Sequence, residues 1–342
     1  MNFKRLLIFA AAACAVFTVE SCKKDKDDSY TESKTIPGTL KINVPKFIGV
    51  NESVTIMPEG VKSDTLDIGY WWTAKPLYDE RDTTRWIGAA DDVTGAYKFI
   101  ATDTLCTVTI ACNAFAPGYS TQSVSSYCTV VNPALGGSIQ NDGIDEDTPV
   151  FTDSRDGREY RYRTIGNRDW FVKNLAWGGA GSSFQGCDVM DGIYGRYYTW
   201  NEAMTACPDG WRLPSDDDWL DLAAAAGYAG TEAGENFIGV AGALMADARF
   251  NTEKMWEYWP AVKITNKTGF AAIPAGYGAA GDSASFSYDF EYAVFWSSES
   301  SESDGDGIGV YRMINVNRPD FIRGGLNKNS FAASVRCVRD IK

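Results

Sequence analysis

The stretch CPDGWRLPSDDDWLDLAAAAG, residues 207–227, sets a run of carboxylates beside two tryptophans, and it reads as a reactive site or as the start of a helix. Ser215 precedes Asp218 by three residues, the spacing of a capping box, and Asp216 and Asp217 fall in the first turn, where the helix dipole favours negative charge. Trp219, Leu222, Ala223 and Ala226 then recur on one helical face. Each aspartate has a structural task. A general acid/base pair needs a cleft and a matched partner, which the neighbouring residues do not supply. Just upstream, Pro208 and Gly210 stop a predicted helix over 198–206 that carries Trp200, Ala203 and Met204 on one face. Trp211 and Leu213 are expected in the core, and Arg212 on a carboxylate or carbonyl of the capped turn.

Outward from this helix, 342 residues exceed one ordinary core and suit two domains. Residues 36–133 alternate in short runs, TLKINV, ESVTIMP, LDIGYWWTA, GAYKFIA, LCTVTIACNAFA and QSVSSYCTVV, separated by turns. Such spacing predicts an all-β sandwich, with Trp71 and Trp72 on opposite faces. Residues 134–152 mix glycines, acids and a proline without periodicity and read as a linker. Its acids, Asp142, Asp145, Glu146 and Asp147, lack the spacing of an EF-hand loop. A domain over 153–342 follows.

The first 21 residues combine Lys4 and Arg5 with an apolar run over 6–19, the pattern of an export signal too short to span a bilayer as a mature helix. The sequence closing on Cys22 resembles a bacterial lipobox, which implies lipidation at Cys22 and a membrane anchor. Residues 22–35, polar and charged, read as a flexible tether. Their charges resemble the surface-export signals of Bacteroidetes lipoproteins, which implies an outer-membrane protein facing outward.

A net charge of −13 excludes nucleic acid as a partner, because an acidic surface repels phosphate. The chain has no histidine and no CxxC, which argues against zinc, thioredoxin-like chemistry and any Ser-His or Cys-His nucleophile. No glycine-rich phosphate loop follows a strand. An enzyme is therefore not expected. Export favours disulfides. Cys112 and Cys128 lie symmetrically about Ser120, in the turn-like APGYST, so a bridge across that hairpin is expected. Cys207 and Cys337 bracket the second half, and a bridge there would close a long loop, leaving Cys106 and Cys187 free or buried.

The motifs TDSRDGREYRYRTIGNRDWFVKNLAW, YGRYYTWNEAM, CPDGWRLPSDDDWLDLA, NKTGFAAIPAGY, VFWSSES and SVRCVRD occur in one order over roughly 155–342. This order resembles the Fibrobacter succinogenes major paralogous domain. The resemblance implies an α+β, C-type lectin-like domain with a small twisted sheet. Separately, the N-terminal order, with YWW early and a long alternating strand before APGYS, resembles the immunoglobulin-like modules of bacterial surface proteins. The residues read alongside it as a hairpin about Asp156 and Gly157, a strand in DWFVKNLAW, and a third helix over 235–247 with Phe237, Val240, Leu244 and Met245 buried. The cysteine pair of formylglycine-generating relatives is absent.

What remains is recognition through loops dense in aromatic, amide and acidic groups. Candidate ligand-binding residues are Tyr288, Phe290, Tyr292, Glu299, Tyr311, Asn315, Asn317, Arg318, Asp320 and Asn327. No cofactor is expected, although Glu299, Glu302, Asp304 and Asp306 raise the option of calcium. The expected function is adhesin-like binding of a glycan or a surface protein. The alternative is a structural subunit of a pilus tip or envelope complex.

Overall fold

The computed structural model describes residues 33–76, 95–102, 107–135, 137–251, 253–256, 261–280, 285–301 and 307–341. The export signal, Cys22, most of the tether, Cys106, Glu302, Asp304 and Asp306 lie outside the described residues. The protein is mostly β, with several separate sheets.

In the N-terminal part, one sheet has the order Phe47–Gly49, Gln122–Val131, Thr107–Phe115, Gly69–Pro76. The first pairing is parallel and the other two are antiparallel. Three two-stranded pairs complete the described residues of this part: Lys34–Thr35 with Tyr119–Ser120, Gly38–Ile42 with Pro58–Val61, and Ser53–Ile56 with Tyr97–Ile100. Period-two alternation buries Val108, Ile110, Cys112 and Ala114 from one layer and Leu40, Ile56, Val61 and Phe99 from the other in one shared core. Trp72 is fully buried, stacks on Tyr97 at 5.3 Å and donates its indole N–H to the Gly95 carbonyl at 2.9 Å. Trp71, its neighbour on the opposite face, is 40% exposed.

The bridge expected between Cys112 and Cys128 is not formed, and both thiols are free and buried. The hairpin pairs Gln122 with Ala114, so its turn centres on Gly118, held at φ +79°, and not on Ser120. Cys112 therefore faces Val124 and Cys128 faces Val108. Four residues of strand separate the thiols, about 13 Å, beyond the reach of a disulfide.

In the C-terminal part, the strands Val150–Thr152, Glu159–Ile165, Arg168–Phe171 and Val338–Asp340 form one sheet, so the chain's end returns to the start of this part. The turn at Asp156 and Gly157 and the strand carrying Trp170 are where the sequence places them. A second sheet joins Ser182–Ser183, Arg196–Thr199, Phe331–Ala333, Tyr277–Ala279 and Ser285–Ser287, and a third joins Tyr292–Ser300, Ile308–Asn315 and Phe321–Asn327. The disulfide Cys207–Cys337 closes a separation of 130 residues with a Cα–Cα distance of 5.8 Å.

The quoted stretch forms the helix Asp216–Ala226 with a complete capping box between Ser215 and Asp218, ending at Gly227 in the left-handed region. Trp219, Leu222, Ala223 and Ala226 are buried, as are Trp211 and Leu213. The preceding helix is Trp200–Ala206; Ala203 faces the core, but Met204 is exposed. The long helix expected over 235–247 is reduced to Ala241–Leu244. Phe237 instead exchanges backbone hydrogen bonds with Phe321, and Gly239 turns the chain at φ +78°. Phe237, Val240, Leu244 and Met245 are still buried, so a bridge followed by a turn delivers the apolar spacing that a helix would.

Candidate functional site

Asp216 and Asp218 of the capped helix are engaged by structural partners. Asp218 accepts from the Ser215 N–H at 2.8 Å and hydroxyl at 2.9 Å, from Arg168 at 2.9 Å and from both terminal nitrogens of Arg212. Burial alone would raise its carboxyl, but the Arg212 and Ser215 bonds outweigh burial and hold it at about 2. Asp216 receives the buried Arg312 at 3.0 Å and Arg323 at 2.7 Å. The guanidinium of Arg312 also donates to the carbonyls of Glu235 and Ala233 and lies 4.0 Å over the Phe237 ring. These groups fasten the helix to the third sheet. In the linker, Asp142 accepts from the Ile144 N–H and Asp145 pairs with Arg163 at 3.2 Å. Among the described residues no group of three or more cysteine, aspartate or glutamate side chains is arranged to hold a metal ion.

The candidate ligand-binding residues divide. Tyr292 and Asn315 face each other at one end of the third sheet, where Asn317, Arg318 and Asp320 make the connecting turn. Glu299 and Asn327 lie at the other end. A strand of eight residues separates the ends by roughly 25 Å, so they are not one site. Several polar members are engaged locally: Asn315 accepts from the Asn317 N–H at 2.7 Å, Asp320 from the Gly239 N–H at 3.2 Å, and Asn327 from the N–H groups of Asn329 and Ser330. Arg318 approaches Asp320 at 3.8 Å.

The aromatic members converge. Tyr288 stacks on Tyr292 with centroids 4.8 Å apart and 15° between planes, and Tyr277 joins Tyr288 at 5.5 Å. Phe331 continues the row, 5.0 Å from Tyr277 and 6.0 Å from Tyr311. Tyr311 lies flat across Gly324, where a Cβ would come within 2.4 Å of the ring, so only glycine leaves it room. Tyr288 and Phe290 both adopt left-handed backbone, φ 61° and 72°, which side chains rarely accept. Backbone bonds hold this turn: Phe290 donates to Pro274 at 3.0 Å and Gly276 to Tyr292 at 2.7 Å. The result is that Tyr288 is 46% exposed at the open end of the row. Burial raises the Tyr277 and Tyr311 phenols, and neighbouring phenols raise Tyr277 further. No described group hydrogen-bonds to the hydroxyls of Tyr277, Tyr288, Tyr292 or Tyr311.

Rings stacked this way offer flat apolar faces edged by hydroxyls. Tyr277 and Phe331 were not singled out from the sequence, because they stand on strands far apart in the chain. The only local signal is an aromatic at the edge of a short strand, TGFAAIPAGY for one and SFAAS for the other.

The chain is thus β-rich, and its second part carries a long-range disulfide and a row of partly exposed rings. Residues 164–339, just over half of the chain, match the Fibrobacter succinogenes major domain, and the chain belongs to that family. No curated protein sequence matches the chain.

Proposed function

We propose that this protein is a lipid-anchored, outward-facing surface lipoprotein that binds a glycan or a surface protein through its C-terminal part. In this reading Cys22 carries the lipid, residues 36–133 form an immunoglobulin-like domain that stands the rest off the membrane, and residues 153–342 form a C-type lectin-like domain. Recognition is by shape and stacking, with no enzymatic step and no nucleic acid. The observation that carries the reading is the row Tyr288, Tyr292, Tyr277, Phe331 and Tyr311, with its unused hydroxyls. Tyrosine supplies large contact area at low entropic cost, and sugar rings pack well on flat aromatic faces. The ligand-binding set is accordingly centred on Tyr288, Tyr292 and Tyr311, and the amides at the far end of the sheet contribute least.

A glycan array probed with the full chain tests it. Binding is expected to at least one glycan class, with Tyr288→Ala combined with Tyr292→Ala weakening it at least tenfold at unchanged melting temperature. An array without signal favours the second reading, a subunit of a pilus tip or envelope complex, which the exposed Phe290 beside Tyr288 supports. Co-purification of a fixed partner that the same two substitutions release would establish that alternative.

A further inference from the structure

The register of the third sheet sorts charge from hydroxyls. Directly opposed residues of neighbouring strands share a face, and successive residues alternate. Tyr292 and Asn315 therefore stand on one side, where Tyr311 follows between Trp296 and Gly324. Phe295, Arg312 and Arg323 stand on the other side, and Asp216 holds both guanidinium groups there. The second sheet continues the tyrosine side. Tyr277 lies opposite Ser287, and Ala279 lies opposite both Ser285 and Phe331. Ring contacts of 6.4 Å between Tyr277 and Tyr292 and 6.0 Å between Tyr311 and Phe331 join the two sheets across their seam.

None of the described paired positions on this face carries a charge. Its polar groups are the phenols of the row, the exposed Ser285 and Ser287, and Asn315. Lys328, at the end of the third strand, is drawn onto the Trp200 ring at 4.4 Å and to the Ser300 hydroxyl at 2.7 Å. Burial raises the phenols of Tyr277 and Tyr311, and no described cation lowers either. The sequences of 281–284 and 302–306, next along the chain from these strands, contain no lysine or arginine. Asp289, beside the row in the chain, lines a separate cleft with Lys46 and Phe184. An anionic ligand would thus meet no described counter-charge and would add to the repulsion of a chain at −13. A charged group of either sign would lose its hydration against this face without a partner, whereas hydroxyls and neutral amides both donate and accept and are matched by groups of their own kind.

Resting on the glycan reading above, we propose that this face takes an uncharged glycan, whose bound units are hexose or N-acetylhexosamine rings free of carboxylate, sulfate and ammonium. The C–H face of a ring packs on the exposed Tyr288, and its hydroxyls exchange hydrogen bonds with the phenols and with Ser287.

An array that presents each neutral core beside the same core bearing sialic acid, a uronic acid, sulfate or a free amine tests this with the full chain. Signal is expected on neutral cores and should fall about tenfold on each charged version. Binding should change by less than about twofold between low and high salt. Tyr288→Ala with Tyr292→Ala should remove it. Ser287→Lys, at an exposed strand position, should restore binding of the carboxylated and sulfated versions at unchanged melting temperature. Failure of this inference is distinct from failure of the reading beneath it. Signal on charged versions with silent neutral cores overturns the charge assignment and leaves glycan binding in place. An array without any signal, with a protein partner that co-purifies, removes the glycan reading and this inference with it. Neutral-glycan binding that survives the two tyrosine changes also overturns the proposal, because the ligand then sits elsewhere.

Discussion

Residues 36–130 hold their core by strand pairing and apolar burial, and Cys112 and Cys128 sit inside it unbridged. Residues 150–340 are tied differently. There the sheets are joined by long connections and fastened by Cys207–Cys337 and by buried guanidinium groups. Arg336 is fully buried and donates to Asn174 and to the carbonyls of Phe171, Phe270 and Ala271. Arg312 does the same work between the capped helix and the third sheet. Period-two burial closes a sandwich without further help, whereas loops that must end in fixed places need polar partners across long sequence separations. Two cysteines on neighbouring strands are thus not by themselves a bridge: burial pushes both N-terminal thiols up to about 12, which keeps them protonated and inert.

The largest expected effect breaks the contrast at its strongest point. Removing the disulfide, by Cys207→Ser with Cys337→Ser, should destabilise the C-terminal part by about 5 kcal/mol, the chain-entropy value for a loop of this length. Calorimetry with and without reductant should show that transition fall while the N-terminal transition holds. A parallel loss in the N-terminal transition of the variant would mean that the two parts unfold as one unit.

Next comes the buried charge. Asp216→Ala leaves Arg312 without its carboxylate in a site where its side chain has no exposure, and should cost about 3 kcal/mol in urea unfolding. Replacing Asp217, which lies in the same turn outside this network, is expected to cost a few tenths.

These two parts were also unequally legible in the sequence. The capping box, the core face of the helix and the Cys207–Cys337 tie were readable, because Ser215, Asp218 and Trp219 act within one turn and the bridge has few competitors. The register at Cys112 was not, since a turn centred two residues earlier shifts every partner across the hairpin. The helix expected over 235–247 failed because Phe237 pairs with Phe321, a contact that helical spacing cannot reveal. For the candidate site, Tyr288, Tyr292 and Tyr311 were found as aromatic loop or strand residues, but Tyr277 and Phe331 join them only through sheet pairing.

Acid should sharpen the comparison further. Asp218 titrates at about 2 in the folded protein against 3.8 for the ordinary carboxyl, so its contribution is present in full above the latter value. It is lost as pH falls through about 2, and amounts to about 2 kcal/mol. Unfolding followed from pH 5 downward should show the C-terminal transition losing this increment, and Asp218→Asn should remove the dependence.

The smallest effect separates the cap from the ion pair that shares its carboxylate. Ser215→Ala removes the hydroxyl that accepts from the Asp218 N–H at 3.3 Å and donates to its carboxylate at 2.9 Å, and should cost about 1 kcal/mol. Asp218→Asn also disturbs the cap while weakening the bonds to Arg212 and Arg168. If cap and ion pair act as one unit, the double variant will cost less than the two single losses added together, because the first change has already loosened what the second removes. Additive losses would instead assign the helix start to the hydroxyl alone and leave Asp218 as an anchor for the two arginines.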